Sequence, residues 1–133
     1  VEIQKTADDA WRRCFATAEG FDEETVRIRQ GIMRRASGLS AYALARVDGE
    51  PAGVGFGVVT DEWLGLFGIA TVKHHRRRGV GTAITTALAA WGENMGAERA
   101  YLQVEVLNAS ALKLYERLGF RTAYTYWYRL LQC

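Results

Sequence analysis

Proline occurs once in these 133 residues, cysteine twice and histidine twice, and no apolar run comes near the ~20 residues that a membrane-spanning helix needs. A soluble protein with no membrane partner is therefore expected. Cys14 and Cys133 stand far apart, in neither metal-type nor redox-type spacing, which points to reduced thiols and a cytoplasmic protein. An excess of one charge is missing too: seventeen basic against fifteen acidic residues leave +2, so bulk charge predicts no nucleic-acid partner. No internal repeat, low-complexity tract, linker or signal peptide is visible in these residues. The length suits a single domain with one core. Because Val1 already reads as part of a strand, the chain looks processed or cut from a longer protein.

What is present gathers around RRRGVG, Arg76 to Gly81, set between the strand-like WLGLFGIATV and the helix-like TAITTALAAW. A strand that stops, a glycine-containing turn and a helix starting on it leave backbone N–H groups without intrachain partners. Gly79 and Gly81 allow positive φ and close approach of a ligand oxygen. Arg76, Arg77 and Arg78 add positive charge, and the helix dipole adds roughly half a unit more. This stretch reads as a pyrophosphate-binding loop.

Around it the chain alternates strands and helices. VEIQK is a short strand, and Thr6 with Asp9 resembles a capping-type helix entry. Trp11, Cys14, Phe15 and Ala18 then mark one face of a helix ending near Gly20. Asp22 caps a second helix reaching about Ala36, with Val26, Ile28, Ile32 and Met33 as its apolar residues. AYALARV and AGVGFGVVT form a hairpin around Asp48-Gly49, with Pro51 at the strand entrance. Gly53, Gly55 and Gly57 strip one face of that second strand of side chains, so another element or a ligand packs closely there, sheet packing being the expected reason. Trp63 to Val72 is apolar on both faces and therefore central in the sheet. The next helix carries Val80, Ile84, Leu88, Trp91 and Met95 on one stripe and stops at Gly96. AYLQVEV is a strand, Ser110 to Leu118 a short helix closed by Gly119, and RTAYTYWYRLL one last strand. The order predicts a mixed α/β layer with a strand–helix–strand crossover at the basic loop.

Two motifs then agree on one family. The R-x-x-G-x-G of Arg76, Gly79 and Gly81 resembles the pyrophosphate loop of the GNAT superfamily of acyl-CoA-dependent N-acyltransferases. Asn108, Ala111, Leu114, Tyr115 and Gly119-Phe120 resemble that family's N-x-x-A-x-x-L-Y-x-x-x-G-F. The similarity is closest from Trp63 to Tyr128. It departs in two places: Lys73 stands where a proline is usual, and the final hairpin strand is expected to be missing. That short end points to a homodimer contact or an absent N-terminal domain.

The resemblance implies a single α/β GNAT-like domain over 1–133, a mixed central sheet with splayed middle strands flanked by helices. Substrate-side helices would lie at about 6–36 and the acyl-CoA-binding half at about 63–128. It further implies acetyl-CoA as donor, its pyrophosphate on the loop formed by Arg76, Arg77, Arg78, Gly79, Val80, Gly81 and Thr82. The pantetheine arm would lie along Ile69, Ala70 and Thr71 like an added strand. Asn108 would touch the coenzyme or serve as a plain helix cap.

The implied activity is N-acetyl transfer from acetyl-CoA to a primary amine, of a small molecule or a peptide, by direct attack. Tyr115 is the candidate acid for the departing thiolate, the core aromatic being its other reading. Glu105, and after it Glu62, are candidate bases that no motif marks, a solvent-facing carboxylate being their default. The reading from another class is a non-catalytic acyl-CoA-binding or regulatory domain. His74 and His75, adjacent in sequence, lack the spacing of a helical metal pair, and no metal site is expected. HHRRR could serve nucleic-acid phosphates. The near-zero net charge and the glycine spacing favour a small phosphate ligand instead.

Overall fold

The computed structural model describes residues 1–35, 38–105, 121–125 and 128–132. In chain order these form β1 (Glu2–Gln4), α1 (Asp9–Glu19), α2 (Glu23–Arg34), β2 (Leu39–Val47), β3 (Glu50–Thr60) and β4 (Trp63–Thr71). A short 3-10 turn (Lys73–His75) leads to α3 (Val80–Asn94), followed by β5 (Arg99–Glu105), β6 (Arg121–Thr125) and β7 (Tyr128–Gln132). The strands make one seven-stranded sheet in the order β1-β2-β3-β4-β5-β7-β6. Only the β4–β5 pair is parallel, as a crossover through α3 requires; every other pair is antiparallel.

The alternation of side chains along β2 and β3 decides which helix goes on which face. Tyr42, Leu44, Val54, Phe56 and Val58 point to one side, where they meet Trp11, Cys14 and Phe15 of α1 and Val26 of α2. Ala41, Ala43 and Ala45 point to the other, the face that receives Val80, Ile84 and Leu88 of α3. Gly53, Gly55 and Gly57 lie on this small-residue face. A Cβ at Gly53 would stand 2.5 Å from Val80 Cγ1, and one at Gly55 would stand 2.7 Å from Ile84 Cγ2. Sheet packing is thus the reason for the glycines: they let α3 settle onto the sheet without intervening side chains.

Local signals account for the elements. Asp48 (φ 52°) and Gly49 (φ 81°) make the tight turn between β2 and β3, and Pro51 is accommodated near a bulge at Ala45/Arg46. Gly20, at φ 72°, ends α1, and the Asp22 carboxylate caps α2 by accepting from Thr25 N–H. Other expectations are corrected. The α1 cap is Asp8, whose Oδ1 accepts from Trp11 N–H at 2.8 Å, rather than Thr6. Helix α2 ends at Arg34, and two of its apolar residues, Ile28 and Ile32, face outward, as does Met95 after α3. Strand β4 ends at Thr71, and Val72 is buried just beyond it.

The largest correction is at the C-terminal end. The run read as one strand forms two, β6 and β7, with β7 inserted between β5 and β6. Tyr124 to Tyr128 contains no Gly, Pro, Asn or Asp to announce a turn, so an unbroken alternation concealed the reversal. The final hairpin strand is therefore present.

Candidate functional site

The site begins with a fault in the sheet. Val54 pairs with Ala70 and Phe56 with Phe67, so Gly55 alone faces both Gly68 and Ile69. This bulge rests on Gly68 at φ 61°, a backbone region that residues with a Cβ rarely enter. A side chain there would also press on the α-helical layer, since an added Cβ stands 3.0 Å from Met33 Cε. The Gly55 carbonyl at the bulge accepts from Trp11 Nε1 at 3.3 Å, which ties the fault to α1. Bulges re-aim strands, and here the consequence is a splay: the β4–β5 ladder runs from Trp63↔Arg99 to Leu66↔Leu102 and stops. Beyond it β5 continues on β7 through Glu105, while the edge of β4 facing away from β3 finds no strand partner among the described residues. Ile69, Ala70 and Thr71 lie on that open edge. Gly68 was not singled out from the sequence, although an isolated glycine in an apolar strand is a known sign of a bulge.

The basic loop follows directly. Val72 N–H donates to the Ala52 carbonyl at 2.8 Å, and the 3-10 turn closes with His75 N–H on Val72 O and Arg76 N–H on Lys73 O. From there the backbone amides change character. The N–H groups of Arg77, Arg78, Gly79, Val80, Gly81 and Thr82 have no acceptor among the described residues, and the first amide bonded within α3 is that of Ala83, to Gly79 O. No side chain caps the helix. Arg77 takes φ 66° and Gly79 φ 77°, so two left-handed residues curl this short segment, a feature of backbone concavities lined by N–H groups. Open space lies before Gly79, since a Cβ added there meets nothing within 4 Å. Inside the helix, Thr85 Oγ1 donates to Gly81 O at 2.8 Å and Val80 packs over Gly53.

The three arginines do not act alike. Arg76 Nε donates to Thr71 O at 3.2 Å, so this side chain braces the loop against the end of β4. Arg77 and Arg78 are exposed beside the free amides. The histidines differ as well. His75 is buried, only 4% exposed, whereas His74 is open to solvent. Their Nε2 atoms lie 3.3 Å (His75) and 3.4 Å (His74) from the two carboxylate oxygens of Glu50 at the start of β3. His75 Nδ1 is buried with no partner among the described residues. Nothing in the sequence connected Glu50 with these rings, because the fold brings together positions 24 and 25 residues apart.

The structure therefore unites the open edge at Ile69–Thr71 with the loop Arg76–Thr82. Glu105 ends β5 opposite Tyr128. Asn108 and Tyr115 lie outside the described residues. Glu62 is at the β3–β4 turn, where its carbonyl accepts from the amides of Glu98 and Arg99. Cys14 is buried on the inner face of α1, and burial pushes its thiol up to about 11, so it is an inert core group. Among the described residues no helix is long and apolar enough to cross a membrane.

Amides unpaired at a helix start, next to a strand edge left open by a bulge, suit a ligand with a phosphate at one end and amides along its length. Comparison with known proteins gives the same direction. The model of the acetyltransferase (GNAT) family matches residues 3–120. An uncharacterized N-acetyltransferase, YobR, of Bacillus subtilis is 29% identical over 127 residues, which are 96% of this chain and 51% of that protein. The ribosomal protein bS18-alanine N-acetyltransferase of Escherichia coli is 41% identical over 66 residues, 50% of this chain and 44% of that one. This chain thus spans about half the length of the curated relatives it matches. Among solved structures, the PaiA N-acetyltransferase of Thermoplasma acidophilum in complex with coenzyme A superposes with a TM-score of 0.73 at 16% identity, covering 98% of this chain and 96% of that one. With a family model spanning most of its length and the fold to match, the chain belongs to the GNAT family of acetyltransferases.

Proposed function

We propose that this domain transfers an acetyl group from acetyl-CoA to a primary amine by direct attack, without an acyl-enzyme. The observation that carries the reading is the row of six amides, Arg77 to Thr82, without acceptors at the start of α3. These N–H groups, with Arg77 and Arg78, would hold the pyrophosphate, and the open edge of β4 at Ile69, Ala70 and Thr71 would pair with the pantetheine amides. Acetyl-CoA supplies the activated thioester and a thiol leaving group.

The chain's own residues would manage protons and position. An amine with a lysine-like pKa is neutral in only about one molecule in two thousand at pH 7, so a base or a water chain has to take its proton; Glu105 is our candidate. Tyr115 is our candidate donor to the departing sulfur. A phenol near pKa 10 and a thiol near 8.5 make full proton transfer uphill by about 2 kcal/mol, so a hydrogen bond with late transfer is the expected form of help. Asn108 would cap its helix or touch the coenzyme. The acceptor amine would enter over α1 and α2, and the bS18-alanine N-acetyltransferase among the relatives supports a peptide N-terminus as one class to try alongside small amines. A buried, reduced Cys14 suits a reducing compartment such as the cytoplasm.

Thermal shift against acetyl-CoA, longer acyl-CoAs and free CoA tests the binding half of this reading. Saturation at about 100 times Kd adds roughly 2.7 kcal/mol of stability. Thiol release with a panel of peptide and small amines then tests turnover, and Tyr115→Phe should lower kcat by roughly 10- to 100-fold. Absence of any shift with acetyl-CoA would overturn the proposal. A shift without turnover on any amine would leave a coenzyme-binding domain instead.

A further inference from the structure

We infer that Glu50, His74 and His75 form a binding site for a divalent transition-metal ion of the zinc class, clipping the 3-10 turn ahead of the basic loop to the start of β3. One ligand atom from each of the three lies within 4.8 Å of the others. Glu50 spends one carboxylate oxygen on each ring, at 3.4 Å to His74 Nε2 and 3.3 Å to His75 Nε2. These spacings are long for hydrogen bonds, whose N···O distance clusters near about 2.9–3.0 Å. They run to different oxygens, and with one ligand atom from each residue the set spans up to 4.8 Å, so exposed His74 and Glu50 would draw in to reach the roughly 3.3–3.4 Å between ligand atoms of a tetrahedral ion with bonds of about 2.0–2.1 Å. Two imidazoles and one carboxylate are also a donor set suited to zinc, nickel and copper.

The burial of His75 is the second, independent observation. Its ring is 4% exposed, its Nδ1 has no partner among the described residues, and its Nε2 has only the long contact to Glu50. Polar pairing inside the protein therefore does not offset taking this imidazole out of water. A metal bond would give Nε2 a strong partner in place of the long contact to Glu50, while Nδ1 keeps the ring's proton. The ring cannot swing away, so one ligand is fixed in place, while exposed His74 and Glu50 can adjust around the ion. The site stands outside the acyl-transfer reading: neither histidine nor Glu50 is assigned to the coenzyme or to proton transfer. Its consequence is mechanical. His75 directly precedes Arg76, which braces β4, so an ion would anchor the entrance of the loop to the β2–β3 hairpin.

The test is calorimetric titration of the whole chain with Zn2+ alone, and with Ni2+ alone, in a buffer that does not chelate, with Cys133→Ser in every sample so that its thiol cannot compete. Cys14 is buried and stays protonated near neutral pH. The chain has only two histidines, so the ring-nitrogen NMR spectrum reads the site without interference. One ion per chain should bind, with both imidazoles shifting together. His74→Ala and Glu50→Gln, each at an exposed position, should weaken binding by roughly ten-fold or more, while Glu93→Gln should not. Circular dichroism shows that the variants remain folded. No binding by the Cys133→Ser chain below about millimolar metal, or a smaller loss when either substitution is added, overturns the site.

Discussion

Replacing the three glycines of β3 by alanine, one at a time, is a graded test of how α3 is seated. Alanine in a strand lowers the entropy lost on folding and should gain about 0.5–1 kcal/mol over glycine where there is room for its methyl. Room is what differs. At Gly53 the new carbon would stand 2.5 Å from Val80 Cγ1, 2.9 Å from Ile84 Cδ1 and 3.1 Å from the Ala70 carbonyl. The last is backbone and cannot rotate aside. At Gly55 the near atoms are Ile84 Cγ2 at 2.7 Å and Leu88 Cδ1 at 3.1 Å, both on side chains with no exposure. At Gly57 nothing is nearer than 3.3 Å. Overpacking of the first two kinds costs about 1–3 kcal/mol, so Gly53→Ala should lose about 2 kcal/mol net, Gly55→Ala about 1, and Gly57→Ala should be neutral or slightly stabilising. In a domain of this size that is a fall in Tm of roughly 4 °C per kcal/mol. Because α3 carries the free amides, Gly53→Ala should also weaken acetyl-CoA binding, and adding Val80→Ala should restore part of both losses. Denaturant melts of the three variants decide the matter. Equal stability at positions 53 and 57, or no recovery with Val80→Ala, would refute the close seating of α3 on this strand.

Arg77→Gly should fold at least as stably as the wild type, since glycine relieves a left-handed residue at a cost of about 1 kcal/mol, yet bind acetyl-CoA more weakly for want of its charge; titration and melting of the same variant separate the two effects. Gly79→Ala, with nothing for its methyl to strike, should cost about 1 kcal/mol through backbone conformation alone, as equilibrium unfolding would measure. Asp8→Ala should lose about 1 kcal/mol of stability by removing the acceptor for Trp11 N–H, and Asp8→Asn should keep most of it, which denaturant unfolding will distinguish. Cys14 gives a pH prediction. Its folded pKa, about 11, lies above the unfolded value near 9, so the buried thiol's stabilisation is complete below about pH 9 and is lost as pH rises through 11, by about 3 kcal/mol in all. Stability curves of wild type and Cys14→Ser across that range check it, a parallel decline in both being the result that would sink it.

Local signals were legible residue by residue. Asp48-Gly49 announced a turn because both positions need positive φ, Gly20 announced a helix end for the same reason, and the spacing of Trp11, Cys14 and Phe15 marked the buried side of α1 before any partner was known. The basic loop was legible too, because a strand, two glycines and a helix start are contiguous in the chain and their unpaired amides follow from backbone geometry alone. The Asp8 cap was missed because Thr6 and Asp8 both offer suitable oxygens, and only the actual start of the helix chooses between them. The hairpin of β6 and β7 was missed because a reversal without turn residues is stabilised by pairing with β5, a distant strand.

The amino-acid order by itself determined α1, α2, α3 and most of the described strands, the glycine-stripped face of β3 and the loop whose amides are left unpaired, since each depends on residues within one or two turns of chain; the helix expected at Ser110 to Leu118 lies outside the described residues. The tertiary structure alone decided that α3 fills that stripped face, that the Gly68 bulge ends the β4–β5 ladder at Leu66, and that Glu50 meets His74 and His75. Those outcomes depend on sheet register and on which face each helix covers, and both are settled by contacts between segments that no local pattern encodes.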